Sequence, residues 1–195
     1  MIQLHCTKKL FEKLPLRDGG RLKNKKPNLY PANDVPETLL SGWHANLLIL
    51  QRRQCVLFVH DATRFPVFVP ALKKSDFAEL DFWFSDGFMN TLLKTGVDEA
   101  LMDRAHSALG PLVCDTICDR SVQGTMNQMA QSIEHMLWYD NVSILDIAPN
   151  RTGAWLADRP CLAKGVKRCI WPMQAMHELL DSHTDMHPST GYGPG

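Results

Sequence analysis

Residues 43–69 read WHANLLILQRRQCVLFVHDATRFPVFV. Leu47–Leu50 and Cys55–Val59 are near-continuous apolar runs, the composition of strands covered on both faces. The polar residues Gln51-Arg52-Arg53-Gln54 divide them as a tight turn, although the Asn-Gly favoured in short hairpins is absent. Asp61-Ala62-Thr63-Arg64 makes a second turn, with Asp61 placed to accept a turn hydrogen bond and Arg64 to act as its ion-pair partner. Phe65–Val69 is a third strand, and Pro66 and Pro70 suit an edge or strand ends. This stretch predicts an antiparallel meander.

Upstream, Ile2-Gln3-Leu4-His5-Cys6 alternates apolar and polar as a short strand does, and the reading adds it as a fourth strand. Thr7 can cap a helix through Lys8–Leu14, which Pro15 stops. Residues 15–41 have loop composition. Downstream, Phe77, Leu80, Phe84, Phe88 and Leu92 recur at helical spacing up to Gly96. Asp98 and Glu99 favour the start of a second helix, which runs to Leu109-Gly110. Pro111–Cys118 reads as another strand. Val122, Met126, Met129, Ile133 and Met136 form the stripe of a helix over about 121–138. Residues 159–170 fit a hairpin that sets Cys161 opposite Cys169, and Pro172 opens a helix from Met173 to about Leu180. The predicted fold is α+β, a mainly antiparallel sheet of four to five strands with helices packed on one face. It forms a single domain over 1–181, with loop 15–41 inside it, followed by a mobile tail, 182–195.

The chain has 195 residues, 21 basic and 21 acidic side chains, and 45% apolar content. That suffices for one core without disulfides or metal. Zero net charge argues against a protein built to coat nucleic acid or an anionic membrane. No apolar run reaches the roughly 18 residues of a membrane span and no signal peptide opens the chain, so the expectation is a cytoplasmic protein with no membrane partner. Six cysteines then read as free thiols of a reducing compartment. Cys114, Cys118, Cys161 and Cys169 lack the C-x2-C spacing of zinc sites, so buried thiols stand beside a zinc site as the two readings.

Phosphate-loop, dinucleotide, zincin and nucleophile-elbow motifs are absent, and no cofactor is implied. Four polar groups remain. His44 and Asn46 share one face of a strand and can orient a substrate group or act as base and partner. His60-Asp61 looks like a tuned pair, but adjacent strand residues face opposite sides. Asp119-Arg120-Ser121 opens the Met126 helix, whose N–H groups with Arg120 suit an anion, and Gly124 and Asn127 lie on its polar face. Lys8 follows Cys6-Thr7, and Cys6 would act as a thiol only with a base such as His44 nearby. The candidate site is thus Lys8, His44, Asn46, Arg120, Ser121 and Asn127, converging at one sheet end. Arg17, Arg21, Lys23, Lys25 and Lys26 form a basic loop that could touch nucleic-acid phosphates, without interleaved aromatics.

Ile2-Gln3-Leu4-His5-Cys6-Thr7-Lys8-Lys9-Leu10, Trp43-His44-Ala45-Asn46-Leu47, Arg52-Arg53, the Phe68–Asp76 run with Leu72-Lys73-Lys74, and Asp119-Arg120-Ser121 with Met126-Asn127 together resemble an uncharacterised bacterial domain-of-unknown-function family over about residues 1–140. Its members occur alone or ahead of a plasmid open-reading-frame-type domain, which implies a mobile-element setting. The resemblance brings no catalytic residue and no cofactor. Three functions follow as expectations. The first is a binding module for a polar or anionic ligand or a macromolecular partner. The second is a small hydrolase or phosphotransfer enzyme with His44 as base and Arg120 and Lys8 stabilising charge. The third is a nucleic-acid accessory protein.

Overall fold

The structure is a computed structural model that describes residues 1–23, 36–162 and 169–182. Most of the expected tail, and Lys25 and Lys26 of the basic loop, lie outside the described residues.

The apolar runs form β2 (Trp43–Leu50), β3 (Arg53–His60) and β4 (Pro66–Leu72), paired antiparallel in sequence order. Gln51 and Arg52 close the first hairpin with φ of 46° and 64°. Positive φ at both central residues matches strand twist but is strained for side chains. Two bonds offset that strain: Gln51 Nε2–H donates to the Val142 carbonyl at 3.0 Å, and its Oε1 accepts from Ile144 N–H at 2.8 Å. The hairpin tip is thereby tied to a loop ninety residues away in sequence.

The remaining strands depart from the antiparallel expectation. β1 (Ile2–Cys6) pairs parallel with both β2 and β5 (Leu112–Asp115), so the sheet is mixed, in the order β4-β3-β2-β1-β5. The reason is connection length. The thirty-odd residues between Cys6 and Trp43 bring the chain back to the end from which β1 started, and β5 is reached through two helices; both links are long enough for parallel crossovers.

The helices also correct the one-face expectation. α2 (Leu80–Lys94), α3 (Glu99–Ala108), α6 (Pro172–Asp181) and the short α1 (Lys8–Phe11) share one core with Leu4, Trp43, Val56, Phe58 and Val67. α4 (Arg120–Tyr139) covers the opposite face, packing Val122, Met126, Met129 and Ile133 on Cys55, Leu57, Val59 and Phe68. Alternate residues of β3 therefore enter different cores, which is why its run is apolar without a break. α5 (Pro149–Ala157), which has no clear sequence signal, lies along β4 and α2 and covers the sheet edge.

The core under α2 is aromatic. Trp43 meets Phe84 edge-on at 4.9 Å and Phe88 at 5.7 Å, and its indole N–H donates to the Leu40 carbonyl at 2.7 Å. At the other edge, part of the loop expected over 15–41 is ordered by backbone. Leu16 bridges Leu22, Arg21 bridges Val113 of β5, and Gly20, at φ 76°, passes so close to Cys114 that a Cβ would strike its carbonyl. The hairpin expected over 159–170 has its base, Cys161 pairing with Ile170 rather than lying opposite Cys169, while residues 163–168 lie outside the described residues.

Two glycine substitutions test this packing. Gly124, helical with open space around it, should become more stable by about 0.5–1 kcal/mol as Gly124→Ala. Gly20→Ala should be destabilised by more than 1 kcal/mol. Equilibrium urea unfolding of both variants reads the contrast; equal effects would contradict it.

Candidate functional site

Alternation in β1 and β5 sends Ile2, Leu4, Cys6, Leu112 and Cys114 into the α2 core, leaving Gln3, His5, Val113 and Asp115 on the other face. α4 covers that face over β2, β3 and β4. The polar residues therefore begin where the second helical layer ends. Register places Asp115 beside His5 and His5 beside His44, one row across three strands.

The row is tightly bonded. His5 Nδ1 lies 2.7 Å from Asp115 Oδ1, and Asp115 also accepts from Gln3 Nε2–H at 2.8 Å and from Ile117 N–H at 2.9 Å. His44 Nδ1 lies 2.6 Å from Asp61 Oδ1. The two rings stand 4.9 Å apart between centroids. The Asp119 N–H donates to His44 Nε2 at 2.8 Å, so that nitrogen holds the lone pair and Nδ1–H donates to Asp61. With both nitrogens engaged and 3% exposure, His44 acts as a link between strand, turn and helix.

His5 differs. Its Nδ1 is taken by Asp115, while Nε2 faces Asp61 Oδ2 at 3.7 Å, beyond hydrogen-bond length. The side chains of His5, Asp61 and Asp115 are 16%, 31% and 27% exposed, so this gap is open to solvent where His44 is not.

Arg64 fixes the turn that presents Asp61. It is buried at φ 61°, and its guanidinium donates to the Asp61 carbonyl and, at 3.3 Å, to Ser121 Oγ. The ion pair expected between Arg64 and the Asp61 carboxylate does not form; that carboxylate goes to His44. His60 lies on the opposite face against Trp43, with rings 5.0 Å apart, so His60 and Asp61 are not a pair. Cys6 likewise enters the α2 core, away from His44.

Asp119 caps α4, accepting from Ser121 N–H at 2.6 Å and Val122 N–H at 3.0 Å. The Val122 bond foremost holds its carboxyl below the usual range, helped by Ser121 N–H and the nearby Arg64 charge.

Of the six residues expected to converge, His44 and Ser121 enter this cluster, the latter through Arg64. Asn46 accepts from Thr7 Oγ1–H at 3.0 Å, on the His44 face one pleat along. Lys8, Arg120 and Asn127 are exposed. His5, Asp61 and Asp115 are the residues that the sequence did not assemble. His5 and Asp115 stand at polar positions of two alternating strands, but only the parallel register makes them neighbours. In the basic loop, Arg17 and Lys23 are exposed. Among the described residues no three His, Cys, Asp or Glu side chains group to hold a metal ion, and Cys118 and Cys169 are exposed while Cys114 and Cys161 are buried. No helix among the described residues is long and apolar enough to cross a membrane.

The fold and site define an α+β protein with a mixed five-stranded sheet between helical layers and a histidine–aspartate row at the margin of one layer. The chain belongs to the family described as domain of unknown function DUF6933, whose model matches residues 3–175. The match extends beyond the 140 residues over which the resemblance was read, taking in α5 and the start of α6. No curated protein and no solved structure matches the chain.

Two acid-dependent losses should separate on titration. Burial lowers the His60 pKa from 6.5 to about 4. A depressed histidine contributes stability that is present above pH 6.5 and is lost as pH falls toward 4, on the order of 3 kcal/mol in all. Asp119, also depressed, contributes above the unfolded carboxyl pKa of about 4 and loses its share below it. Asp119→Ala should cost about 1 kcal/mol at pH 7 and flatten only the lower limb of a stability-versus-pH curve. A variant curve parallel to wild type down to pH 3 would contradict the assignment.

Proposed function

We propose that this chain is a binding module for a small polar ligand that donates hydrogen bonds, held where His5 Nε2 and Asp61 Oδ2 face one another. The observation that supports this is the 3.7 Å separation of an unengaged ring nitrogen and a carboxylate oxygen, both accessible, in a row whose other polar atoms are bonded. Two acceptors side by side suit an ammonium, or a vicinal pair of hydroxyls donating one O–H to each. Asp61 and Asp115 both lie against His5, and the Arg64 guanidinium is turned to a carbonyl and a hydroxyl. That charge disfavours the anionic ligand and favours a neutral or cationic one. Two donors alone do not make a metal site.

The Asp115–His5 pairing favours a second reading, an acid–base enzyme. A carboxylate on Nδ1 orients the ring and supports positive charge on it, leaving Nε2 for a substrate proton. In this version His5, rather than His44, is the base.

Thermal-shift screening tests the binding reading. Polyols, sugars, nucleosides and amino alcohols form one arm, and sulfate, phosphate and carboxylates the other. A ligand at a hundred times its Kd should raise Tm by roughly 5–10 °C in the first arm. His5→Gln and Asp61→Asn should each remove the shift while remaining folded. Stabilisation confined to the anionic arm, or retained in both variants, would overturn the reading.

A further inference from the structure

α4 is 20 residues long, and Val122, Met126, Met129, Ile133 and Leu137 are its buried stripe. Helical periodicity then fixes the ridge on its opposite side as Gly124, Asn127, Gln131, His135 and Trp138. All five are exposed. Nothing in the histidine–aspartate row uses them.

The ridge has the composition of a covered surface. A helix face that meets water is ordinarily rich in charge, yet Arg120 and Glu134 are the only lysine, arginine or carboxylate residues within α4. Trp138 and the adjacent Tyr139 are 78% and 75% exposed, an unusual state for two large rings in succession. The His135 ring lies 6.3 Å from that of Trp138 and stacks on that of Tyr139 at 6.0 Å. Depletion of charge together with presented aromatic rings is what marks the centre of a protein–protein interface.

Spacing along the ridge selects the occupant. Gly124 and Trp138 each lie seven residues from Gln131, about two turns, and Asn127 and His135 each lie four residues from it. A second copy of α4, laid antiparallel about a twofold axis at Gln131, therefore sets each Trp138 level with the other copy's Gly124. A Cβ built on Gly124 meets nothing within 4 Å, so the large ring finds a notch there. Asn127 comes level with His135, and Gln131 meets its own copy, an amide that both donates and accepts. Charge agrees with this arrangement. The two Glu134 carboxylates are offset by about 9 Å along the axis, and Arg120 comes to the carbonyl end of the opposing helix, where a cation is favoured. A parallel pair would set Trp138 against Trp138 and Glu134 against Glu134, leaving the notch unused. The exposed parts of the Trp138 and Tyr139 rings of two copies supply roughly 500 Å². With the amide ridge between them, the buried area approaches the roughly 1,000 Å² of a specific interface. We infer that the protein pairs with a second copy of itself through α4, antiparallel about Gln131, each Trp138 seated over the other copy's Gly124.

The test is sedimentation velocity of the full chain from about 1 to 300 μM, the range in which an interface of this size should assemble. A reducing buffer keeps the exposed Cys118 and Cys169 from cross-linking. The expected result is a concentration-dependent passage from monomer to dimer. Trp138→Ala, which removes the ring, and Gly124→Gln, which fills the notch with a good helix former, should each weaken the dimer about tenfold or more with an unchanged circular dichroism spectrum. Phe82→Ala, at an exposed ring elsewhere, should pair as wild type. Gln131→Lys and Gln131→Glu each set like charges on the twofold axis and should dissociate the dimer, whereas an equimolar mixture of the two should restore it. A monomer across the whole range, an assembly larger than a dimer, pairing undiminished by Trp138→Ala, or a mixture no better paired than either charge variant alone would each overturn the inference.

Discussion

Everything at the candidate site depends on one constraint, the parallel insertion of β1 between β2 and β5. A five-residue strand has few side chains to offer, and its register decides what they meet. With His5 opposite both His44 and Asp115, two carboxylate–histidine pairs fall into one row. A one-residue slip would send His5 into the aromatic core and Leu4 to the polar face. The apolar cost of that slip, with Ile2, Leu4 and Cys6 all leaving the α2 core, fixes the register. The polar row is therefore held in place mainly by the apolar residues between its members.

The second contribution comes from α4. Its methionine stripe anchors the helix on β3, and its first residues reach the sheet margin. There the Asp119 backbone closes His44 Nε2, and Ser121 receives Arg64. One helix start thereby closes the second nitrogen of His44, whose first is held by Asp61, while His5, one strand further out, keeps a nitrogen unengaged. Position relative to the edge of a helical layer, rather than any difference between the two imidazoles, separates the histidine engaged at both nitrogens from the one whose Nε2 is unengaged.

Much of the fold was legible in local pattern. Period-two alternation in 2–6, the apolar runs of 43–69 and the stripes at Phe84 and Met126 all correspond to elements of the right kind. The unbroken run in β3 carried the information that both sheet faces are covered, which the one-face architecture overlooked. What pattern could not supply was pairing across distance. Parallel neighbours of β1 lie about 40 and 110 residues away, and no turn chemistry announces them. The site shows the same division. His44 and Ser121 were readable as polar residues beside structural elements. His5, Asp61 and Asp115 looked respectively like a strand position, a turn former and a strand end. α5 was missed because Pro149–Ala157 has few large apolar residues to mark a stripe; it packs through Thr152, Gly153, Leu156 and Ala157.

The central claim is that His5 and His44, similar in sequence context and adjacent in space, differ in what their Nε2 atoms do. Long-range ¹H–¹⁵N correlation spectra of the ring nitrogens at pH 7.5 address it directly. Both rings should be Nδ1–H tautomers when neutral, with the His44 Nδ1–H protected from solvent exchange. Asp61→Asn should remove that protection, and a bound hydrogen-bond donor should move only the Nε2 resonance of His5. A neutral His5 found as the Nε2–H tautomer, or a His44 Nδ1–H that exchanges as fast as that of an exposed histidine, would contradict it.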